Sequence, residues 1–383
     1  MLLSYSTIFL AVYIQSQVFN VAALIIPDHA LENNTLYDEE KPSDSHLFAR
    51  DDPVTFFHQY PANDEMKFIS QPLGTDLDQL KDYVFLSPAG AGVTVYVHDS
   101  GINLRHNEFT TASKNLPKAN VGWLYPSRPD LNVEPTTDPT GHGTCVADKV
   151  VGHKFGVAKK ANLLMVPWID LADFDWMKAG LRAIIDDIKA KRAKDPDFLA
   201  VVNFSYKFGN TVALRDKVEA CRALYKEIYD LDVVMVFAAG NSGDYGKTEL
   251  KHYPALFTKD FPNAIVVGSV DINGYPSKFT EGGPLVHISA PGATDSENGI
   301  ECAQGTGRSA TWRPEGTSIA APTISGFAAY LLSIEPALRK QGSVAKNVKA
   351  RILKLGYIRA VGALKGVPPM PAIWNGLEGA PAC

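Results

Sequence analysis

The chain has 383 residues, of which 45% are hydrophobic and 21% charged, enough for one large α/β domain with a substantial core or for two small ones. The net charge of −5 is unevenly spread: residues 28–65 carry ten acidic and two basic side chains, and the rest of the chain is close to neutral. Such a composition excludes disorder over most of the length, and it offers no basic patch for a nucleic acid partner.

Residues 1–27 contain no charged side chain. The run M-L-L-S-Y-S-T-I-F-L-A-V-Y-I fits the apolar core of a secretory signal and is short for a membrane span. Polar Gln15, Gln17 and Asn20 interrupt it. A signal peptide over residues 1–23 is expected, with Ala22 and Ala23 as candidate small residues near cleavage. No Lys or Arg precedes the apolar run, and its uncharged continuation to Pro27 keeps an uncleaved anchor as the alternative. Residues 24–65, rich in Asp, Glu, Asn and Pro, are read as an acidic prosegment or linker. The sequon Asn33-Asn34-Thr35 suits a secreted, exposed leader, whereas Asn203-Phe204-Ser205 falls in an expected buried strand and should stay unmodified.

From residue 66 to 383 the pattern is that of one domain. Nearly continuous apolar runs at 93–99, 163–169, 199–206, 233–239, 265–270 and 285–290 read as strands buried on both faces. Between them, residues 175–194 and 212–230 repeat apolar positions at helical spacing, and further helices should follow His142 and Ser318. Strand–helix alternation predicts an α/β fold, a three-layer structure with a parallel β-sheet and helices on both faces. The tail from Val367 reads as a loop that wraps the domain. Four cysteines allow three pairings. Cys145, inside the helix expected after His142, is read as a free buried thiol, leaving at most one bridge, from Cys302 to Cys383 or Cys221.

Four short words carry chemistry: V-H-D-S-G-I around Asp99, T-G-H-G-T around His142, A-A-G-N ending at Asn241, and E-G-T-S-I-A-A-P around Ser318. A serine hydroxyl attacks poorly unless a base takes its proton, and histidine can later pass that proton to a leaving amine. A carboxylate fixes the imidazole tautomer, and N–H donors stabilise the oxyanion that forms. Each word has a plain structural reading: Ser318 as a helix cap, His142 as a turn residue, Asp99 and Asn241 as turn formers after strands. The weight lies in all four occurring together, with Asp99 and Asn241 at strand ends, where ligands of such sheets bind. No His, Cys or Asp cluster has metal-ligand spacing.

These words resemble the signatures of the subtilisin-like serine proteases, the subtilases, over roughly residues 85–340. The Asp-His-Ser order is the same, and the sequence looks closest to secreted fungal members of the proteinase K branch. The resemblance implies a catalytic triad of Asp99, His142 and Ser318, with the Asn241 amide and the Ser318 N–H as the oxyanion hole. It also implies a groove for an extended peptide, lined by Ser205, Tyr206, Ala239 and Gly240. The implied protein is a secreted, extracellular, monomeric endopeptidase working through an acyl-enzyme. It would act on protein or peptide substrates, need no catalytic cofactor and form no stable membrane association. Structural calcium is common in such proteins, but no loop here has a recognisable ligand pattern.

The chain departs from that pattern in places. Tyr206-Lys207-Phe208 stands where the family commonly has Leu-Gly-Gly, a change expected to narrow the groove. His98 replaces an aliphatic residue before Asp99 and is read as a satisfied core histidine. Ile319 replaces the usual Met, removing an oxidation-sensitive thioether. The leader is short for a folding-assistant prodomain. The altered strand and short leader are what a non-catalytic binding member would show. Against an esterase stand the Asp-His-Ser order and the absence of a G-x-S-x-G elbow.

Overall fold

The computed structural model describes residues 13–17, 55–112, 118–127, 137–168, 173–209, 211–295, 298–360 and 368–377. The expected cleavage region at Ala22 and Ala23, the sequon at Asn33, most of the acidic segment and Cys383 lie outside the described residues.

Three strands, β1 (Tyr13–Gln17), β2 (Phe56–Tyr60) and β3 (Tyr83–Leu86), form a small antiparallel sheet, with helix α1 (Asp64–Ile69) between the last two. Phe57, Met66, Phe68 and Ile69 are buried in the main core, and the Arg359 guanidinium lies 3.8 Å over the Phe68 ring. The folded body therefore takes in the end of the segment expected to be a prosegment.

The main sheet begins with β4 (Val93–Asp99), after which come α2 (Asn107–Thr110), β5 (Asn120–Trp123), α3 (His142–Val151) and β6 (Asn162–Pro167). Helix α4 (Phe174–Arg192), β7 (Leu199–Phe204), α5 (Arg215–Asp230), β8 (Val234–Ala238), β9 (Ile265–Val270) and β10 (Ile288–Pro291) follow. All seven strands are parallel, in the order β10-β9-β8-β7-β4-β6-β5. From β4 the chain first builds the β6–β5 side and then crosses to β7. The crevice beyond the carboxyl ends of β4 and β7 is thus the topological switch point, where α/β sheets bind ligands.

Alternation along β4 divides the core. Val93, Val95 and Val97 face one cluster with residues of α3 and the long helix α6 (Thr317–Ile334). Tyr96 faces the other, with Val202, Phe204, Phe237 and residues of α4 and α5. The same period of two turns His98 toward α4 and leaves Asp99 on the α3/α6 side. Helix α6 is apolar all round and almost wholly buried. It is the one described helix long and apolar enough to cross a membrane, and it forms the centre of the protein core. A short ribbon, β11 (Cys302–Ala303) with β12 (Thr311–Trp312), precedes it, and α7 (Val344–Leu355) follows.

The described part of the tail, residues 368–377, wraps the domain as expected: Ala372 bridges both Ser289 and Tyr357, and the Asn375 amide donates to the Val84 carbonyl at 2.7 Å. The reading of the cysteines is corrected. Cys145 is not a free thiol; it is bonded to Cys302, 157 residues away, tying α3 to β11, and the buried Cys221 is the free one among the described residues. Asn203 is fully buried, donating to Ser205 Oγ and accepting from Ser325 Oγ, both at 2.9 Å.

Candidate active site

Asp99 ends β4 and is buried. One of its oxygens, Oδ1, accepts from the Ser100 N–H at 2.7 Å and lies 2.8 Å from His142 Nδ1. His142 is the first residue of α3, with its side chain about one-third exposed at 32%. Its position is set by Asp138, a buried carboxylate that the sequence reading passed over. Asp138 accepts from the N–H groups of Gly141 at 3.0 Å and Thr144 at 2.7 Å, capping α3. It also accepts from the hydroxyls of Ser100 and Thr144, at 2.8 and 2.7 Å. An Asp four residues ahead of a helix-opening His was the available signal.

Burial alone would disfavour an imidazolium at His142. The charge and hydrogen bond of Asp99, followed by the charge of Asp138, outweigh it and raise the pKa above the ordinary 6.5.

The second half of the site comes from β8 and α6. Asn241 follows the end of β8, and its Oδ1 accepts from the Thr317 N–H at 2.9 Å and hydroxyl at 2.8 Å. The Thr317 hydroxyl in turn accepts from the Gly240 N–H at 3.0 Å. With its oxygen engaged, Asn241 turns its NH2 group away from Thr317. A methyl group on Gly316 would sit 3.0 Å from Asn241 Nδ2 and 3.0 Å from Ser318 Oγ, so the amide and the hydroxyl converge on one small space. Gly316 has φ +154°, a backbone conformation suited to glycine, and its bare Cα leaves that space open. Ser318 is the second residue of α6, where N–H groups lack intrahelical acceptors. Pro322 lacks the N–H that would bond the Ser318 carbonyl, which loosens this first turn.

Helices α3 and α6 pack against each other. Because His142 is held by Asp99 on β4 and Thr317 by Asn241 after β8, both helix N-termini lie at the carboxyl edge of the sheet. Asp99, His142, Asn241 and Ser318 are thereby brought to one edge by four separate elements.

The four residues expected to line a groove behave differently from one another. Ser205 is buried, and its hydroxyl accepts from the Asn203 amide at 2.9 Å. Tyr206 directs its hydroxyl to His98 Nδ1 at 2.8 Å and to the Tyr225 hydroxyl at 2.7 Å. Ala239 and Gly240 are buried, and the buried Glu281 backs them, its N–H donating to the Gly240 carbonyl at 3.1 Å. Phe208 packs on Phe174, Tyr253 and Phe257. Of the three bulky residues expected to crowd the groove, Tyr206 and Phe208 are turned inward, and Lys207 alone stands out. Among the described residues, no group of three or more His, Cys, Asp or Glu side chains is arranged to hold a metal ion.

The parallel sheet and the four side chains at its edge define the subtilisin-like α/β class. The profile described as the subtilase family matches residues 90–354. Subtilisin-like protease 2 of Trichophyton verrucosum is 33% identical over 308 residues, covering 78% of this chain and 62% of that protein. Subtilisin-like protease 1 of Pseudogymnoascus destructans is 33% identical over 252 residues, covering 66% of this chain and 54% of that one. A crystal structure of a cold adapted subtilisin-like serine proteinase shares the fold, with a TM-score of 0.60 and 23% identity, covering 82% of this chain and 98% of its own. The chain belongs to the subtilase family. It spans little more than half the length of these fungal relatives.

Proposed function

We propose that this protein is a secreted serine endopeptidase that hydrolyses peptide bonds through an acyl-enzyme. The observation that carries the reading is the convergence of Ser318 Oγ and the Asn241 amide on one space beside Gly316, at the edge where Asp99 holds His142. Ser318 Oγ bonds to the substrate carbonyl carbon as its proton passes to His142 Nε2. The carbonyl oxygen becomes an oxyanion held by Asn241 Nδ2–H and the Ser318 N–H. His142 then protonates the leaving amine as the C–N bond breaks, and water repeats the sequence on the ester to release the acid. The charges of Asp99 and Asp138, which raise the His142 pKa, favour the imidazolium that carries that proton.

Secretion is supported by the Cys145–Cys302 bridge, since such bonds persist in oxidising compartments, and by the uncharged N-terminal run. The proposed form is a monomer that acts outside the cell on protein substrates, needs no catalytic cofactor and makes no stable contact with membrane or nucleic acid. Structural calcium remains compatible with this reading, with no ligand set assigned to it. The test compares the full chain with Ser318→Ala, using a serine-directed fluorophosphonate and a chromogenic peptide. Labelling and turnover that both vanish in the variant support the proposal. A folded wild-type protein that neither labels nor turns over any peptide would instead favour the non-catalytic binding role.

A further inference from the structure

Among residues 205–209 and 239–242, which lead away from the sheet edge beside Ser318, Lys207 is the one charged side chain. Strands β7 and β8 are adjacent and parallel, and residues 205–209 and 239–242 continue them as the two walls beyond the sheet edge. The first wall is pinned from behind. Tyr206 is bonded to His98, and Phe208 exchanges two backbone hydrogen bonds with Tyr253, its N–H donating at 2.8 Å and its carbonyl accepting at 3.1 Å. With the side chains of 206 and 208 turned inward, the alternation of an extended segment sends Lys207 outward. Its Nζ crosses the crevice and donates to Ser242 Oγ at 2.8 Å. Ser242 directly follows Asn241, whose amide faces Ser318.

No ion pair neutralises Lys207 among the described residues; its partner is a neutral hydroxyl. Glu281, whose carboxylate accepts from the Ser242 N–H, is fully buried. Its oxygens are engaged by the Ser242 N–H at 3.3 Å, the Lys251 N–H at 2.9 Å and His252 Nδ1 at 3.2 Å. A peptide entering the crevice therefore meets the ammonium and not the buried anion.

We infer that Lys207 sets substrate preference, favouring a carboxylate side chain on the residue whose carbonyl Ser318 attacks. This rests on the peptidase reading above. Asn241 would hold that residue's carbonyl oxygen, and Ser242, the next residue in the chain, carries the Lys207 ammonium, so the charge stands beside the bound residue. A carboxylate would replace the hydroxyl as acceptor and form a charge-assisted bond, stronger than the one it displaces. A neutral side chain would only push the lysine into solvent.

The experiment measures kcat/KM for succinyl-Ala-Ala-Pro-Xaa p-nitroanilides with Xaa as Glu, Gln or Lys, on wild type, Lys207→Gln and Lys207→Glu. The Glu/Gln pair is nearly isosteric and isolates charge. We expect Glu to exceed Gln by about tenfold in wild type at low salt, as a charge-assisted bond in a partly exposed site allows, and to lose part of that margin as salt rises. The ratio should fall to about one in Lys207→Gln, and Lys should overtake Gln in Lys207→Glu. A wild-type ratio near one, or a ratio unmoved by either substitution, overturns the inference. A second arm measures binding of dye-labelled peptides carrying Glu or Gln at that position to Ser318→Ala, with and without Lys207→Gln. Because that arm needs no turnover, absent hydrolysis counts against the peptidase reading, while the affinity ratio still decides the role of Lys207.

Discussion

His98 Nδ1 and the Tyr206 hydroxyl are 2.8 Å apart, joining the central strand β4 to the wall that follows β7. Both positions depart from the pattern of the family, and the contact makes them one departure. The His98 ring stacks on Trp168 with centroids 5.7 Å apart and leaves its Nε2 without a partner. A methyl group on Gly180 of α4 would stand 2.4 Å from that nitrogen, so the helix comes this close only because Gly180 has no side chain.

The pair should behave as a coupled unit. Tyr206→Phe strands a buried imidazole nitrogen and a Tyr225 hydroxyl, and should lower stability by about 1–3 kcal/mol. Replacing both residues with apolar ones, His98→Val with Tyr206→Leu, should cost less than the sum of the single changes, with a coupling of about 0.5–3 kcal/mol. Urea unfolding of wild type, Tyr206→Phe, His98→Val, Tyr206→Leu and the double variant checks this. Additive effects would mean that the hydrogen bond contributes nothing of its own.

Burial holds the His98 pKa down to about 3, so the ring stays neutral in the folded protein while the unfolded chain titrates at the ordinary 6.5. Below pH 6.5 the unfolded state binds the additional proton, and stability falls as pH drops toward 3. The double variant His98→Val with Tyr206→Leu should lose that acid sensitivity. Unfolding midpoints at pH 7 and pH 4.5 measure it, and the wild-type difference should exceed that of the variant.

The strands and helices around the site were legible because each is long and strongly patterned. Strand β4 matches its expected bounds, and the helices after His142 and Ser318 occur where expected. Strand β5 is short and holds a glycine, so its pattern is weak. Helix α7 was legible and missed, with Ala345, Val348, Ile352 and Leu355 buried at helical spacing. What sequence could not supply is contact between distant segments. The Cys145–Cys302 bridge, the inward turn of Tyr206 onto His98 and the hold of Thr317 on Asn241 each join positions far apart in the chain. The expectation that Tyr206, Lys207 and Phe208 narrow the groove treated side-chain bulk as if it had no direction.

On the proposed mechanism, Thr317 is predicted to position the Asn241 amide as oxyanion donor. Thr317→Val keeps the shape and the N–H but removes the hydroxyl that links Gly240 to Asn241. Turnover of a chromogenic peptide should drop about tenfold in kcat with KM little changed, less than the roughly 100- to 1000-fold expected for Asn241→Ala. A Thr317→Ser variant, which restores the hydroxyl, should recover most of the loss. If Thr317→Ser is as impaired as Thr317→Val, the hydroxyl is not what orients Asn241.

The bridge between α3 and β11 should matter for stability more than for chemistry. Cys302→Ser with Cys145→Ser should reduce stability by about 2–5 kcal/mol, because the closed loop is long. Cys221→Ala, which removes a buried thiol with no bonded partner, should cost less, about 1 kcal/mol for the lost packing. Thermal unfolding with and without reductant separates the two: reductant should lower the wild-type midpoint and leave that of the double variant in place.

Asp138 gives the last prediction, on the pH dependence of turnover. On the proposed mechanism His142 is the general base and must be neutral, so activity should fall as pH drops through its pKa, which lies above 6.5. Asp138 contributes to that rise through its negative charge, after the larger effects of Asp99. Asp138→Asn removes the charge and keeps an acceptor oxygen for the Thr144 N–H, while its NH2 group, a donor, gives up the bond from the Gly141 N–H. The acid limb of kcat/KM should therefore move to lower pH in Asp138→Asn, and the plateau should be maintained if α3 keeps its place. Asp138→Ala would shift the limb the same way but also lower the plateau, because α3 loses its cap and His142 loses its alignment with Asp99. An acid limb that does not move in Asp138→Asn, or moves to higher pH, would show that the carboxylate acts on the helix alone and not on the imidazole.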